Sequence, residues 1–225
     1  MPFQFRYDPD IRSRFPQLRT GTLLVEGVDA KADAHAATAR LTTIADQRLA
    51  AASESTLPEI QAWRRTFAAM GLKPTQYRCA SEALLRRYRK DGVLPALHPL
   101  IDLCNATSLA FAIPIAVFDT ARIAEPLTVR FAHGGERYET FSGETEQPET
   151  GEVIFADASG RAHARRWTNR QSGWSAVSSK TTRALIVSEA LHDTAERDVG
   201  NLISMLGEAL LTTWPHCIMG KVATP

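Results

Sequence analysis

Apolar positions recur at helical spacing through the first half of the chain and alternate through most of the second half. Residues 1–19 are mixed and read as irregular apart from a short strand at Phe3–Tyr7, and Thr20–Gly27 reads as a second strand. Within 31–52, Leu41, Ile44, Ala45, Leu49 and Ala52 fall on one helical face. Ser55 or Thr56 is expected to cap a helix that carries Pro58 in its first turn. Ile60, Trp63, Phe67 and Met70 form its apolar stripe, and Gly71 and Pro74 stop it. A helix over 81–91 follows, apolar at Leu84, Leu85 and Tyr88 and basic at Arg86, Arg87, Arg89 and Lys90. That basic run reads either as a solvated face or as a phosphate-facing one.

The stretch His98–Asp119 is apolar on nearly every side, which predicts a buried helix broken by Pro114 and a short strand ending at Asp119. Asp102, Asn105, Thr107 and Ser108 interrupt it. Buried polar side chains cost a few kcal/mol, roughly 1–3, unless they find partners. Asp102, Asn105 and Leu109 share one helical face, whereas Thr107 and Ser108 point elsewhere. These groups therefore bond neighbouring backbone or face a pocket.

Strand-like segments then follow at Leu127–Phe131, Glu136–Phe141, Val153–Ala156, Ala162–Trp167 and Ala184–Leu191. Thr194–Thr213 returns to helix, with Val199, Leu202, Ile203, Leu206 and Leu210 as its core face, and the tail from Pro215 is expected to fray. Helices, then strands, then a closing helix favour an α+β fold over a doubly wound parallel sheet. No linker divides the 225 residues, so a single domain over 1–225 is expected, with an N-terminal extension at 1–59 and the closing helix at 194–214.

Composition narrows the chemistry. Hydrophobic residues make up 44%, charged residues 23%, and the formal charge is +1, so net charge names no partner. The three cysteines, at 79, 104 and 217, form no C-x-x-C pair and read as thiols of a reducing, cytoplasmic compartment. The charged N-terminus does not resemble a signal peptide, and no apolar run is long enough to span a membrane. There is no G-x-G-x-x-G, Walker loop, G-x-S-x-G or H-E-x-x-H, and the six histidines are scattered. No cofactor, metal or DNA partner is expected, although ligands assembled across a fold leave no sequence motif.

Two constellations remain. Arg161–Arg183 holds Arg161, Arg165, Arg166, Arg170, Lys180 and Arg183 without a carboxylate, interleaved with Trp167 and Trp174. Arginines with aromatics suit a single-stranded nucleic-acid end, where cations hold phosphates and an indole stacks on a base. The alternative is a polar hairpin whose tryptophans pack inward, with the acidic loop at 144–152 neutralising the arginines. In Leu185–Leu191, alternation puts Leu185, Val187, Glu189 and Leu191 on one face. A carboxylate there is either a paired anchor or a grip for a cationic ligand group.

The segment HPLIDLCNATSLAFAIPIAVFD resembles the V-D-x-x-N-x-x-x-x-x-x-x-P-x-x-x-F-D segment of the B3/B4 domain of the bacterial phenylalanyl-tRNA synthetase β subunit. GLKPTQYRCASEALLRRYRKDG resembles the entry to that domain, and the stretch from Gly151 to Leu191 extends the similarity, which covers roughly 60–191. The chain looks most like freestanding B3/B4 proteins. The resemblance implies mixed β-sheet layers packed against several helices around a small, amino-acid-sized pocket. It implies editing: hydrolysis of an amino acid wrongly esterified to tRNA. The family's histidine in P-x-H-x-F-D is Ala116 here, and its glycine-rich wall is replaced by Arg166–Gln171. The implied catalytic residues are Asn105, Asn169 and Glu189. The implied substrate-binding residues are Arg78, Ser108, Arg166, Trp167, Arg170, Gln171 and Ser188. The implied partner is the aminoacylated 3′ end of a tRNA or a free amino acid. Either a trans-editing deacylase or a catalytically silent amino-acid- or tRNA-binding module fits this reading.

Overall fold

A computed structural model describes residues 2–223. The elements in chain order begin with β1 (Phe3–Tyr7), α1 (Pro9–Arg14), β2 (Arg19–Glu26), α2 (His35–Ala51), α3 (Pro58–Ala69), α4 (Ala80–Asp91) and α5 (Pro99–Phe111). They continue with β3 (Ile115–Asp119), β4 (Leu127–Phe131), β5 (Arg137–Glu139), β6 (Thr145–Glu146), β7 (Val153–Ala156), β8 (Arg161–Arg165), β9 (Arg170–Gln171) and β10 (Arg183–Ala190). The chain ends with α6 (Ala195–Thr213), β11 (Ile218–Gly220) and β12 (Val222–Ala223).

The strands form two sheets. The smaller has the order β11-β2-β10-β3, antiparallel throughout. The larger has the order β12-β1-β4-β7-β8-β5-β6, with β9 paired to β8, and is mixed: β1 runs parallel to β4, whereas β4, β7 and β8 alternate in direction. Strand alternation sets the layers. Leu185 and Val187 of β10 join Phe5, Phe118, Phe155, Trp63 and Trp167 in one core between the sheets, closed by α3. Ala184, Ile186 and Ala190 on the opposite face join Leu103, Val199, Leu202 and Leu206 in a second core under α2, α5 and α6. The architecture is the expected α+β one: helices over a small sheet, and that sheet over a larger mixed one.

Sequence expectations and structure diverge where tertiary pairing overrides local signals. The N-terminal segment is not irregular: Asp8 caps α1 by accepting from the Asp10 amide, with Pro9 in the first turn. Neither Ser55 nor Thr56 caps α3; both lie in a 3-10 turn, and Leu57 holds the cap position. Over the described residues 215–223 the tail does not fray, because β11 pairs with β2 and β12 with β1. The strand expected to reach Trp167 ends at Arg165, since Arg166 and Trp167 adopt left-handed φ values of 46° and 59°. The basic face of α4 is largely neutralised: Arg86 and Arg89 pair with Glu54, and Arg87 pairs with Asp91. All three cysteines are free and buried. Among the described residues, no helix is long and apolar enough to cross a membrane.

Candidate functional site

Glu189 is 2% exposed on the inner face of β10, among hydrocarbon. Tyr7 Oη donates to its Oε1 across 2.6 Å, and Trp167 Nε1 donates to the same oxygen across 2.8 Å. Among the described residues, Oε2 accepts no bond from the protein. Burial pushes the Glu189 carboxyl up to about 7, because desolvation of the anion outweighs the Tyr7 and Trp167 hydrogen bonds that favour it. The same burial and the neighbouring carboxyl push the Tyr7 phenol well up. Thr20, paired with Glu189 across β2, donates to Tyr7 Oη, and the Arg12 guanidinium lies 4.0 Å from the Tyr7 ring centroid.

The turn after β8 supplies the facing wall. Two successive non-glycine residues in the left-handed region store strain of order 1–3 kcal/mol each. The strain is offset by bonds around the turn: Trp167 N donates to Val153 O, Arg166 N to Glu152 Oε1, and Asn169 N to Arg166 O. The reversal drives the Trp167 indole inward, edge-on to Trp63 and Phe15, and brings its Nε1 to Glu189. Asn169 Nδ2 donates to Arg78 O, and Ala80 N donates to Thr168 O, which ties the turn to the start of α4. Gln171 Nε2 donates to Val117 O and so bridges the two sheets.

Between these walls lies a cavity of about 60 Å³. Pro114, Ala116, Phe155 and Val187 form its apolar side, and Asn169, Gln171 and Glu189 are polar members of its lining. The amide oxygens of Asn169 and Gln171 accept no protein bond among the described residues. This volume is well below the roughly 300–1,000 Å³ of sites that enclose a drug-sized ligand, so it holds water or one small group unless the walls part.

The structure brings together six of the ten residues implied by the sequence. Asn169, Glu189, Trp167, Arg170 and Gln171 line the cavity, and Arg78 meets it through its carbonyl bond to Asn169. Arg170 is tied to both oxygens of Glu146. Arg166 stacks on Tyr77 with its guanidinium 4.7 Å from the ring centroid. Three residues stand apart. Asn105 lines a separate cleft of about 510 Å³ with Asp102 and Leu109, the face that helical spacing had grouped. Ser108 is consumed by Ile113 O at the end of α5, much as Thr107 is by Leu103 O. Ser188 points to the opposite face of β10 from Glu189, opposite Gly21 of β2 and Ile115 of β3.

The basic stretch is mostly structural. Arg165 is 5% exposed and clamped between Glu146 and Glu152, and Arg183 pairs with Glu26. Trp174 is covered by the Arg161 guanidinium at 3.7 Å. The acidic loop thus neutralises the cations beside it, while Arg166 has no carboxylate within salt-bridge distance among the described residues. A Ser175–His163–Asp157 line also exists, with His163 Nδ1 at 2.8 Å from Ser175 Oγ and Nε2 at 3.1 Å from Asp157 Oδ2. Ser175 and His163 are fully buried, so this line is a core anchor and not a nucleophile–base pair.

Tyr7 is the site residue that sequence reading missed. Its partner Glu189 is 182 positions away. The one available signal was an aromatic residue at the end of the short strand expected at Phe3–Tyr7.

The comparisons with known proteins agree on one family. A model of the B3/4 domain matches residues 62–205. The phenylalanine–tRNA ligase β subunit of Haemophilus influenzae is 32% identical over 74 residues, 33% of this chain and 9% of that protein. The Pasteurella multocida β subunit is 30% identical over 77 residues, 34% of this chain and 10% of that one. The chain therefore spans about a tenth of the length of these relatives. A crystal structure of an N-terminal fragment of the phenylalanyl-tRNA synthetase β subunit from Pyrococcus horikoshii aligns with all of this chain and 52% of its own, with a TM-score of 0.55 and 12% identity, a likeness of fold.

Proposed function

Since this chain belongs to the B3/4 domain family, we propose that it acts on the aminoacyl end of a tRNA, hydrolysing the ester of a wrongly charged molecule in trans. The observation that carries this reading is the convergence of the Glu189 carboxyl with the Asn169 and Gln171 amides on one cavity between the sheets. An aminoacyl ester is activated, so positioning a water and stabilising an oxyanion suffice for hydrolysis. Glu189, with a carboxyl poised near neutrality, takes a proton from that water. The water oxygen attacks the ester carbonyl carbon, and the ribose oxygen leaves with a proton, giving a free amino acid and uncharged tRNA. Asn169 orients the water or the carbonyl, and Arg166 meets a terminal phosphate.

The test is deacylation of a panel of mischarged tRNAs by the native chain, Glu189→Gln and Asn169→Ala. The native chain clears at least one ester faster than a protein-free control, and both variants lose that advantage. Clearance of none overturns the reading.

Ala116, at the position where the editing relatives carry histidine, and the 60 Å³ volume favour a second reading, an amino-acid- or tRNA-end-binding module without hydrolysis. Calorimetry separates the two: saturable binding of a free amino acid with no deacylation supports the module. Absence of binding to any amino acid or tRNA rejects it.

A further inference from the structure

Away from that cavity, three side chains from separate elements meet beside a groove of about 610 Å³. Glu59 comes from the first turn of α3, His192 from the turn after β10, and Asp198 from the first turn of α6. One potential ligand atom from each lies within 4.8 Å of the others. Glu59 and Asp198 both line the groove.

Two further facts point to a missing partner. Among the described residues, Glu59 is 8% exposed yet its Oε2 has no hydrogen-bond donor, and His192 is 6% exposed with its Nε2 turned to Asp198. An unpaired buried carboxylate oxygen is costly, and a cation is one species that satisfies it together with a ring nitrogen. The remaining bonds resemble the support that metal ligands receive. Arg48 Nη2 holds Glu59 Oε1 at 2.7 Å, leaving Oε2 free, and Arg48 Nη1 is fixed on Ala110 O. Thr194 holds Asp198 Oδ2, and Arg197 holds Oδ1 at 2.9 Å. The separation of 3.0 Å between His192 Nε2 and Asp198 Oδ2 is close to the roughly 3.3 Å edge of a tetrahedron with metal–ligand bonds of about 2.05 Å.

We propose that Glu59, His192 and Asp198 form a site for a divalent transition-metal ion of the zinc class, with its open position towards the groove. Imidazole among the donors favours such an ion over Mg²⁺ or Ca²⁺, which take oxygen sets. The ion ties α3 to the β10–α6 turn and to α6, and leaves the cavity around Glu189 untouched.

The test uses the full chain, stripped with a chelator and titrated with Co²⁺ and then Zn²⁺. One equivalent of Co²⁺ produces a saturable visible absorption band that Zn²⁺ abolishes and excess Mg²⁺ does not. Glu59→Gln and His192→Gln each weaken Co²⁺ affinity at least tenfold, with far-UV circular dichroism verifying the fold. A native chain without a saturable band overturns the proposal. So does a folded Glu59→Gln variant that binds as tightly as the native chain.

Discussion

Trp167 Nε1 donates to Glu189 Oε1 across 2.8 Å, so the left-handed turn after β8 is fastened to an inner strand of the smaller sheet. The bond spends one carboxyl oxygen, shared with Tyr7, and leaves the other without a protein donor among the described residues. The chemistry of the cavity follows from that asymmetry.

Glu189 makes stability depend on pH. Its folded pKa is raised from 4.5 to about 7 by burial, so the native state holds a proton that the unfolded chain has released. Stability is fully present below the unfolded value and falls as pH rises between about 4.5 and 7, by about 3 kcal/mol, with a plateau above. Glu189→Gln removes this slope. Urea unfolding at pH 5 and pH 8 is expected to show a smaller difference for the variant than for the native chain.

Tyr7→Phe deletes a donor that favours the Glu189 anion and leaves Thr20 Oγ1 without its acceptor. The expected loss is about 1–2 kcal/mol near neutrality. The Glu189 transition moves to higher pH, which carboxyl-region infrared or NMR titration follows. An unmoved transition would show that Tyr7 does not set the charge of the site.

The arginines of the basic stretch separate by partner. Arg165→Leu leaves Glu146 and Glu152 facing each other with no buried cation between them. Burial alone would push the Glu152 carboxyl up, and the Arg165 hydrogen bonds outweigh it and hold that carboxyl below its ordinary value. The variant is expected to lose about 3–5 kcal/mol in thermal or urea unfolding. Arg166→Ala removes the contact with Tyr77 and a charge near Glu152, and costs about 1 kcal/mol or less. It is instead expected to weaken tRNA binding and to shallow its salt dependence in a filter assay.

Asn105→Ala and Asn169→Ala distinguish the two clefts. Asn105 lines the 510 Å³ cleft and Asn169 the 60 Å³ cavity, so deacylation is expected to fall only in the second variant. Equal losses in initial rate would move the reaction away from Glu189.

Gly21→Ala tests how β2 meets α6. A Cβ there would overlap Ile203 Cγ1 and lie 2.8 Å from Val199 Cγ1. Overpacking of this kind costs about 1–3 kcal/mol, read as a lower urea midpoint with an unchanged denaturant slope.

Much of the fold was legible from periodicity alone. α2, α3, α4, α5 and α6 and the strands β1, β2, β3, β4, β7 and β10 all fall where spacing placed them, because the apolar pattern records which faces are buried. The grouping of Asp102 with Asn105, and of Glu189 with Leu185 and Val187, was correct for the same reason. The strands of the tail were not legible, since β11 and β12 are short edge segments placed by pairing with β2 and β1. The end of β8 was missed because a left-handed Arg166–Trp167 pair contradicts every local propensity and is held by Val153 and Glu152.

The sequence by itself determined which side chains are inward: the pleat and the helical repeat fix the face of each residue, and the hydrophobic effect fixes which face is buried. Only the tertiary structure decided which polar groups meet. Asn105 and Glu189 are both polar residues in apolar elements, yet α5 turns one to a cleft beside α2 while β10 turns the other between the sheets towards Tyr7 and Trp167. A hydrogen bond acts over about 3 Å and is indifferent to separation along the chain, so its partners are set by how the layers stack and leave no local trace in the order of residues.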